Sequence, residues 1–535
     1  MPAVPVRRKP FYVTTPIFYV NADPHIGHLY SVVMADTIRR YQQLHDRSTL
    51  LATGTDEHGL KIQQAAQQLQ LDPQTLCDRV SARFKDLTTT AGVLGDDVVF
   101  TRTTDDLHVC TVKKLWRRLM ESGHIYKGVH EGWYSVSDEA FYLPAQVKQT
   151  QDPATGETIT VAIESGQRVE WITEENYKFR LSAFREPLRR WLQDNPQLIL
   201  PETRYNEVMA YLSQELPDLS VSRPRTRLTW GIPVPDDDDH VIYVWLDALA
   251  NYLTATRTYG SLHGDMDAVP SAWPADVHIV GKDIIKFHAV YWPAFLMAAN
   301  LPLPRRILAH AHWTMGRQKM SKSRGNVADP FALLDKYGSD ATRYFLMRDG
   351  GLADDSDYSE ELVRKRYKKE LLGQLGNLLA RTISPTLLPQ GYIPSPPHAT
   401  QLQTDDREIR SGLLELPHMV AAHFDQYEFG KGIACIEQTI TQANKYFTDQ
   451  TPWTLTASDN PSDHQRLATI LFHTLETLRM AGIQLQPVMP NKMNTLLNIL
   501  GVPSDQRRWS DVTLTEEEAG RRSVLPADKP LFPKL

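Results

Sequence analysis

From Phe11 onward, apolar runs of strand length alternate with amphipathic runs of helix length. FYVTTPIFYV predicts a strand and NADPHIGH a turn. LYSVVMADTIRRYQQL then predicts a helix, whose apolar positions recur at helical spacing as Val32, Val33, Ala35, Ile38 and Tyr41. STLLATGT predicts a second strand and DEHGLKIQQAAQQLQ a second helix. This alternation indicates a parallel sheet with right-handed crossovers, and such sheets bind ligands at the carboxyl ends of their strands.

The pattern changes character twice further along the chain. Residues 128–230 are aromatic-rich and predict a small mixed insertion, after which strand signals resume at HVIYVWLDAL and ADVHIVGKD. The helical pattern of IIKFHAVYWPAFLMAA follows, and from about Tyr358 the chain is almost wholly helical. The prediction is an α/β chain with a Rossmann-type parallel sheet and an all-α bundle. Its segments are 1–127 and 231–300 (the two halves of the sheet domain), 128–230 (insertion), 301–357 (loop and contact region), 358–503 (bundle) and 504–535 (tail).

Composition excludes several classes of protein. The chain has 535 residues, 41% of them hydrophobic and 23% charged, which is ordinary for globular domains. Its net charge of −6 gives no global positive field, so any contact with nucleic acid must be local. The longest apolar stretch, residues 289–299, falls short of the roughly 20 residues that span a bilayer. Cys77, Cys110 and Cys435 have neither zinc-knuckle nor CxxC spacing, which argues against a disulfide scaffold and a thiolate zinc site.

The first candidate for chemistry is the sequence His25-Ile26-Gly27-His28, at a predicted junction of strand and helix. A helix N-terminus offers unpaired N–H groups and a positive dipole end to anions. Gly27 permits close approach of a nucleotide to the backbone, and the two imidazoles can reach one phosphate. Taken alone, the pattern is also consistent with chance or with a pair of metal ligands.

The second candidate is Lys319-Met320-Ser321-Lys322-Ser323, within GRQKMSKSRGN. Two lysines among small residues predict a mobile cationic loop suited to a polyphosphate, although a lone lysine pair is more often solvated surface. Together and in this order, the two motifs resemble those of class I aminoacyl-tRNA synthetases. The resemblance implies ATP as substrate, with Mg²⁺, and catalytic roles at the phosphates for His25, His28, Lys319 and Lys322. It implies that ATP is bound by His25, Gly27, His28, Gly281, Asp283, Lys319, Ser321, Lys322 and Ser323.

Other segments narrow the resemblance to methionyl-tRNA synthetases, namely TPIFYVNADPHIGH, GTDEHG, YVWLDALANY, GKDIIKFHAVYWP and WGIPVP. By this resemblance Asp56 meets the substrate ammonium, although its position also suits a helix N-cap. Sulfur prefers aromatic edges, yet aromatic residues at such spacings are also ordinary core. The implied methionine-binding residues are Ile17, Tyr19, Asp56, Trp245, Ala248, Tyr252, Ile284, Phe287, His288 and Trp292. The roles of Glu57, His58 and Lys282 stay open.

The helical half carries candidate RNA contacts. Asn377 and Arg381 are four residues apart and therefore share one helix face, and Trp453 follows a Thr-Pro pair. By spacing alone the pair is a surface helix contact, and a tryptophan such as Trp453 is more often a core residue. The resemblance implies instead that the three read a CAU anticodon, because an amide and a guanidinium can bond the edges of splayed bases and an indole can stack on one.

The resemblance therefore implies that methionine is activated with ATP and transferred to the 3′-terminal ribose of tRNA(Met). The insertion lacks cysteines, as in the zinc-free branch, so no zinc is expected, and SVSDEAF, EENYKFRLS and LSVSRP look most like mitochondrial members. We expect a monomer without membrane association, located in the mitochondrial matrix or alternatively in the cytoplasm. Synthetases for leucine, isoleucine or valine need a longer editing insertion, and a cysteinyl enzyme needs zinc. A non-catalytic tRNA-binding relative would not need the two motifs, and their presence argues against this alternative.

Overall fold

The computed structural model describes residues 9–136, 140–152, 155–260, 272–320, 327–514, 522–525 and 529–535. The strands are β1 Phe11–Thr14, β2 Phe18–Tyr19, β3 Thr49–Asp56, β4 Val98–Arg102, β5 Ile125–Ser135, β6 Ala140–Tyr142, β7 Val147–Gln151, β8 Thr158–Ala162, β9 Glu170–Phe179, β10 Ile199–Leu200, β11 Leu219–Ser220, β12 Ser222–Pro224, β13 Pro233–Val234, β14 Asp237–Ile242, β15 Val277–Gly281, β16 Ile307–His310, β17 Trp313–Met315, β18 Gln318–Lys319 and β19 Ser356–Asp357.

The α-helices are α1 Ile26–Leu44, α2 Leu60–Gln68, α3 Pro73–Thr90, α4 Asp106–Glu121, α5 Arg185–Asp194, α6 Glu202–Leu212, α7 Val244–Gly260, α8 Trp292–Ala298, α9 Pro330–Tyr337, α10 Ser339–Asp349, α11 Glu360–Arg366, α12 Asn377–Thr382, α13 Thr404–Phe424, α14 Phe429–Asp449, α15 Pro461–Leu485 and α16 Pro490–Ile499. Wider π-helical turns occupy Phe287–Tyr291 and Tyr367–Gly376. Short 3₁₀ turns include Lys282–Ile284 and Pro452–Thr454.

The chain folds as two compact units, each built from separate stretches of sequence. The first comprises Met1–Pro24, Leu50–Thr88 and Leu94–His310. The second comprises His25–Thr49, Thr89–Val93 and Ala311–Leu535. Helix α1 therefore belongs to the same unit as the helical half of the chain, which the order of elements along the sequence does not suggest.

The first unit is built on the parallel sheet that the sequence predicts. Its strands follow the order β10–β16–β15–β1–β3, with β2 and β4 also pairing with β3. The pairs β1/β15, β15/β16, β10/β16, β2/β3 and β3/β4 are all parallel. Large apolar side chains fill the core, among them Tyr12, Trp116, Phe179 and Phe295. Because the strands are parallel, their carboxyl ends meet at one edge of the sheet, where ligands are expected.

The aromatic-rich segment forms the mixed insertion that its pattern predicts. The long strands β5 and β9 pair antiparallel from Ile125↔Phe179 to Tyr134↔Glu170, within the order β11–β9–β5–β6. Strands β7 and β8 form a separate antiparallel pair, and β12, β14 and β13 a small sheet. The bounds of the six segments derived from the sequence stay a prediction.

The second unit is mostly helical, with α13, α14 and α15 packed against one another. Helix α1 is held in this unit by a buried ion pair, because Arg343 Nη1 on α10 lies 2.7 Å from Asp36 Oδ2 and both side chains are fully buried. The same guanidinium donates to the backbone carbonyls of Val488 and Pro487, both at 2.9 Å. The apolar stripe predicted for α1 is therefore only part of its buried surface.

Two predicted strands differ from those in the structure. FYVTTPIFYV is interrupted between β1 and β2, since Pro16 has no N–H to donate to a neighbouring strand. HVIYVWLDAL is a strand only as far as Ile242, and α7 begins at Val244. A helix buried on all sides is apolar all round, so its sequence resembles that of a buried strand.

Candidate functional site

Three predicted site residues lie at the carboxyl ends of strands in the first unit. Tyr19 ends β2, Asp56 ends β3 and Gly281 ends β15. Tyr19 and Asp56 are register partners, so the two side chains leave the sheet beside each other. Ile17 is half-buried just before β2, and Asp283 is exposed in the 3₁₀ turn that follows Gly281. The sheet thus brings a carboxylate and an aromatic ring together where the fold predicts a ligand.

An aromatic pocket wall stands on α7 and on the helical segment after β15. Trp245 and Phe287 stack with ring centroids 3.5 Å apart and an interplanar angle of 8°. The His288 ring meets Trp245 edge-on at 6.5 Å. Trp245, Ala248 and Tyr252 follow one another at helical spacing on α7, so they can line one side of a pocket. Ile284 and Phe287 are half-buried and pack against the core of the unit.

Tyr252 and His288 form a buried polar pair within this aromatic wall. His288 Nδ1 lies 3.0 Å from the Ile284 carbonyl oxygen, which can only accept, so Nδ1 carries the proton. His288 Nε2 therefore accepts from the Tyr252 hydroxyl, 2.7 Å away. Burial lowers the pKa of His288 to about 4, and burial also raises the pKa of Tyr252 well above its usual range. At neutral pH both side chains are uncharged.

A second layer of rings backs Tyr252. His278 and Trp292 are fully buried, with ring centroids 4.3 Å and 6.1 Å from that of Tyr252. The π-helical turn Phe287–Tyr291 leads directly into α8, where Pro293 cannot donate a backbone hydrogen bond. Trp292 thus lies behind the first layer, as a wall that keeps Tyr252 in place.

The two histidines of the first motif cap helix α1 with their own rings. His25 Nδ1 accepts from the backbone N–H of Gly27, and His28 Nδ1 accepts from the backbone N–H of His25, both at 3.1 Å. The rings stack with centroids 3.7 Å apart. A ring nitrogen that accepts is unprotonated, so each neutral imidazole carries its proton on Nε2. The helix therefore begins with two oriented N–H donors.

Gly27 is required by this arrangement. A Cβ at this position would lie 2.9 Å from His25 Cε1 and 3.0 Å from His25 Nδ1, closer than side chains normally approach. The imidazole of His25 can fold back over the backbone only because residue 27 has no side chain. Gly27 is thus needed for the His25 cap of α1, in addition to any role in ligand binding.

The lysine motif is only partly within the described residues. Lys319 is not in a loop, as the sequence predicts, but in the short strand β18, opposite Thr314 of β17. Gly316 and Arg317 turn the chain between these strands with φ of +60° and +59°. Ser321, Lys322 and Ser323 lie outside the described residues.

The three candidate RNA contacts lie in the second unit. Asn377 begins α12 and is exposed, and Arg381 follows one turn later. The Arg381 guanidinium lies 4.8 Å from the centroid of Phe447 and 5.8 Å from that of Trp453. Trp453 is 45% exposed, so the structure contradicts the alternative of a core tryptophan. An exposed indole beside a guanidinium is a surface on which a base can stack.

Sequence reasoning missed a buried carboxylate beside the pocket. Asp247, in the first turn of α7, is fully buried and lies 2.7 Å from ring nitrogens of both His58 and His108. Glu57 is also fully buried and binds Arg102 through both carboxylate oxygens. The available signal was the placement of Glu57 and His58 directly after Asp56, and of Asp247 two residues after Trp245.

In the described ranges, no three His, Cys, Asp or Glu side chains cluster as ligands for a metal ion. Within the same ranges, no helix is both long and apolar enough to cross a bilayer.

Comparison with known proteins identifies the relatives of this chain. A family model described as tRNA synthetases class I (M) matches residues 11–383. The mitochondrial methionine–tRNA ligase of Homo sapiens is 45% identical over 545 residues, covering 98% of this chain and 90% of that protein. The probable mitochondrial methionine–tRNA ligase of Neurospora crassa is 44% identical over 518 residues, covering 94% and 81%.

A solved structure agrees over nearly the whole chain. Mycobacterium tuberculosis methionyl-tRNA synthetase in complex with methionyl-adenylate matches with a TM-score of 0.90 and 39% sequence identity. The match covers 98% of this chain and 100% of that one.

Proposed function

Because this chain belongs to the class I tRNA synthetases of the methionine type, we propose that the residues described above activate methionine and load it onto tRNA. The chain is an aminoacyl-tRNA ligase. It activates methionine with ATP to the adenylate and charges tRNA with it. This confirms the family, the fold class and the activity that the sequence motifs predict.

Methionine recognition divides between a charged end and an apolar end. The Asp56 carboxylate takes the ammonium of the substrate at the end of β3. Trp245, Phe287 and Tyr252 offer ring edges and faces to the thioether, which suits the polarisable sulfur. The neutral state of His288 matters, because a charged imidazolium in this wall would disfavour an uncharged side chain.

Adenylate formation needs no nucleophile from the protein. The carboxylate of methionine attacks the α-phosphorus of ATP in line, a phosphorus–oxygen bond forms, and pyrophosphate leaves. The Nε2–H groups of His25 and His28 donate to phosphate oxygens as charge develops there, and Lys319 and Lys322 neutralise the leaving pyrophosphate. Gly281 and Asp283 hold the adenosine, with the carboxylate accepting from a ribose hydroxyl.

Mg²⁺ is proposed to arrive with the phosphates of ATP. Magnesium in such sites is usually bound by substrate phosphates and one or two carboxylates. The absence of any three clustered ligands among the described residues is compatible with this mode. Bound Mg²⁺ would supply neutralisation of phosphate charge. No resident zinc is proposed.

Transfer follows on the same enzyme. A hydroxyl of the 3′-terminal ribose of tRNA(Met) attacks the carbonyl carbon of the adenylate, the ester bond forms, and AMP leaves with the electrons of the broken anhydride bond. Selection of the tRNA rests on the second unit, where Trp453 stacks on an anticodon base and Asn377 and Arg381 bond base edges of CAU.

The relatives in animals and fungi are mitochondrial ligases, and we place this chain in the mitochondrion, in its matrix. We propose that it acts as a monomer, without membrane association.

The observation that carries the proposal for the pocket is the position of Asp56, beside Tyr19 at the carboxyl edge of the sheet, the edge at which β15 leads into the helical segment of Phe287 and His288. Pyrophosphate exchange with each of the twenty amino acids tests it. We expect exchange with methionine alone, and Asp56→Asn should raise the KM for methionine by roughly 10²-fold, because hydrogen bonds to charged groups contribute about 1.5–3 kcal/mol. Asp283→Asn is the matched control at the same edge and should change the KM for ATP instead. An unchanged KM for methionine in Asp56→Asn would exclude this pocket.

A further inference from the structure

The buried carboxylate of Asp247 joins two parts of the first unit. Its Oδ2 lies 2.7 Å from His58 Nδ1 and its Oδ1 lies 2.7 Å from His108 Nε2. The other ring nitrogen of His108 lies 3.0 Å from Thr254 Oγ1, back on α7. Burial alone would raise the pKa of Asp247, but the two imidazoles lower it, so the group is ionised and both rings donate to it.

Asp247 lies on the side of α7 opposite to Trp245 and the proposed pocket. Trp245 and Asp247 are two residues apart, which is about 200° around a helix, so their side chains leave opposite sides of the same turn. Trp245 stacks on Phe287, whereas Asp247 is fixed to His58. The bond between Asp247 and His58 therefore fixes the rotation of this helical turn and, with it, the orientation of Trp245.

His58 in turn is only two residues from Asp56, in a segment that is tied down by other contacts. The backbone N–H of Val20 donates to the Asp56 carbonyl at 3.2 Å. The Glu57 carboxylate accepts from Arg102, and the indole N–H of Trp230 donates to the Glu57 carbonyl. Several hydrogen bonds therefore hold this segment, and Asp247 connects it to α7.

We propose that Asp247 is a positioning residue for methionine, which sets the distance between the Asp56 carboxylate and the Trp245 side of the pocket through its bond to His58. This inference rests on the proposed function, in which Asp56 takes the ammonium and Trp245 lines the side-chain pocket. One methionine molecule must reach both groups at once, so an error in their spacing weakens binding even when each group is intact. Asp247 itself does not touch the substrate.

The first test is pyrophosphate exchange by the full chain carrying Asp247→Asn. We expect the KM for methionine to rise about 3–30-fold, the usual range for a residue that acts through another, with the KM for ATP unchanged. Asp406→Asn is the matched control, since Asp406 is a fully buried carboxylate in the second unit, bonded to Arg466 and Tyr446. It should lower the thermal midpoint but leave the KM for methionine at the parent value.

A double-mutant cycle separates positioning from general destabilisation. If Asp247 acts through Asp56, the variant with both Asp56→Asn and Asp247→Asn should bind methionine no worse than Asp56→Asn alone. Independent contributions would multiply instead, and that result would overturn the positioning role.

A pair of substitutions at His58 serves if Asp247→Asn fails to fold. His58→Ala removes the donor to Asp247 and should raise the KM for methionine. His58→Asn places an amide nitrogen at the position of Nδ1 and should return the KM to near the parent value. If Asp56→Asn leaves methionine binding unchanged, the proposed pocket is wrong. If Asp56→Asn weakens binding but His58→Ala does not, only the role of Asp247 is wrong.

Discussion

Replacing Trp453 with Ala separates reading of the tRNA from activation of methionine. Trp453 stands in a single 3₁₀ turn and is 45% exposed, so its removal opens no large cavity. Arg381 keeps its place over Phe447 at 4.8 Å and loses only its contact with the indole. An exposed cation–π contact contributes about 0.5–1 kcal/mol, so the thermal midpoint of Trp453→Ala should fall only slightly.

The expected loss lies in aminoacylation. Stacking of one base on an aromatic ring contributes about 1–3 kcal/mol, which corresponds to a fall in kcat/KM of about 5–150-fold at 1.4 kcal/mol per decade. Methionine-dependent pyrophosphate exchange should stay close to the parent rate, because Trp453 belongs to neither the ATP motif nor the methionine pocket. A tRNA with an altered anticodon should lose less than the CAU tRNA, since the missing contact was already poor.

Thermal midpoint, exchange and aminoacylation are to be measured on one preparation. Trp171→Ala is the matched control, because Trp171 is an indole of similar exposure, 49%, on the insertion of the first unit. It should show no loss that depends on the anticodon. A parallel fall of all three quantities in Trp453→Ala would refute the reasoning, as would equal losses for CAU and altered tRNAs.

Other predictions concern the remaining parts of the site. Lys322→Ala should slow adenylate formation by roughly 10²–10³-fold with methionine binding unchanged, as for loss of one preorganised donor, and a parent rate in single-turnover assays would remove Lys322 from the mechanism. Gly27→Ala should displace the His25 ring and slow the same step by roughly 10²-fold, the cost of about 1 Å of misplacement, with KM for methionine as the control. Burial lowers the pKa of His288 from 6.5 to about 4, so the unfolded chain binds the extra proton between these values. Folding stability is therefore complete above about pH 6.5 and falls toward pH 4 by roughly 3 kcal/mol, a fall that His288→Asn should flatten in denaturant titrations. Elemental analysis should find no stoichiometric zinc, and one tightly bound zinc per chain would contradict the zinc-free assignment.

Local pattern was sufficient for most of the fold. Strand β3 and helices α1 and α2 follow directly from their hydrophobic periods, and the carboxyl ends of the parallel strands indicate where Asp56 and Gly281 lie. The sequence does not predict the start of α7 at Val244, because residues 246–256 of this helix are all buried and it therefore has no polar, solvent-facing stripe there. The hydrophobic period along a sequence indicates a helix only where one of its faces is exposed to water.

The contacts between distant polar residues could not be predicted. Asp247 and His108 are 139 residues apart, and although Asp247 lies within YVWLDALANY, nothing in that segment indicates His108 as its partner. The same holds for the assignment of α1 to the helical unit, which depends on the partnership of Asp36 and Arg343. Pairs of this kind arise from three-dimensional packing, and a single sequence contains no local signal for them. Trp453 is an intermediate case: the resemblance predicts it as an RNA contact, but only the structure shows that its side chain is exposed.

The buried bonds of Arg343 limit how such a chain can be truncated in the laboratory or recombined in evolution. Ending the chain at residue 357, where the sequence suggests that a bundle begins, would remove the carbonyls of Val488 and Pro487 from a fully buried guanidinium. That cation would keep Asp36 and the Ala91 carbonyl, 3.4 Å away, but lose its two closest backbone acceptors, a loss that typically costs several kcal/mol for a buried charge. The penalty would fall on α1, the helix that begins at the two histidines proposed to bind phosphate. The helical half of the chain is therefore not a detachable module, and exchanging it between relatives requires the segment between α15 and α16 to be inherited together with α1.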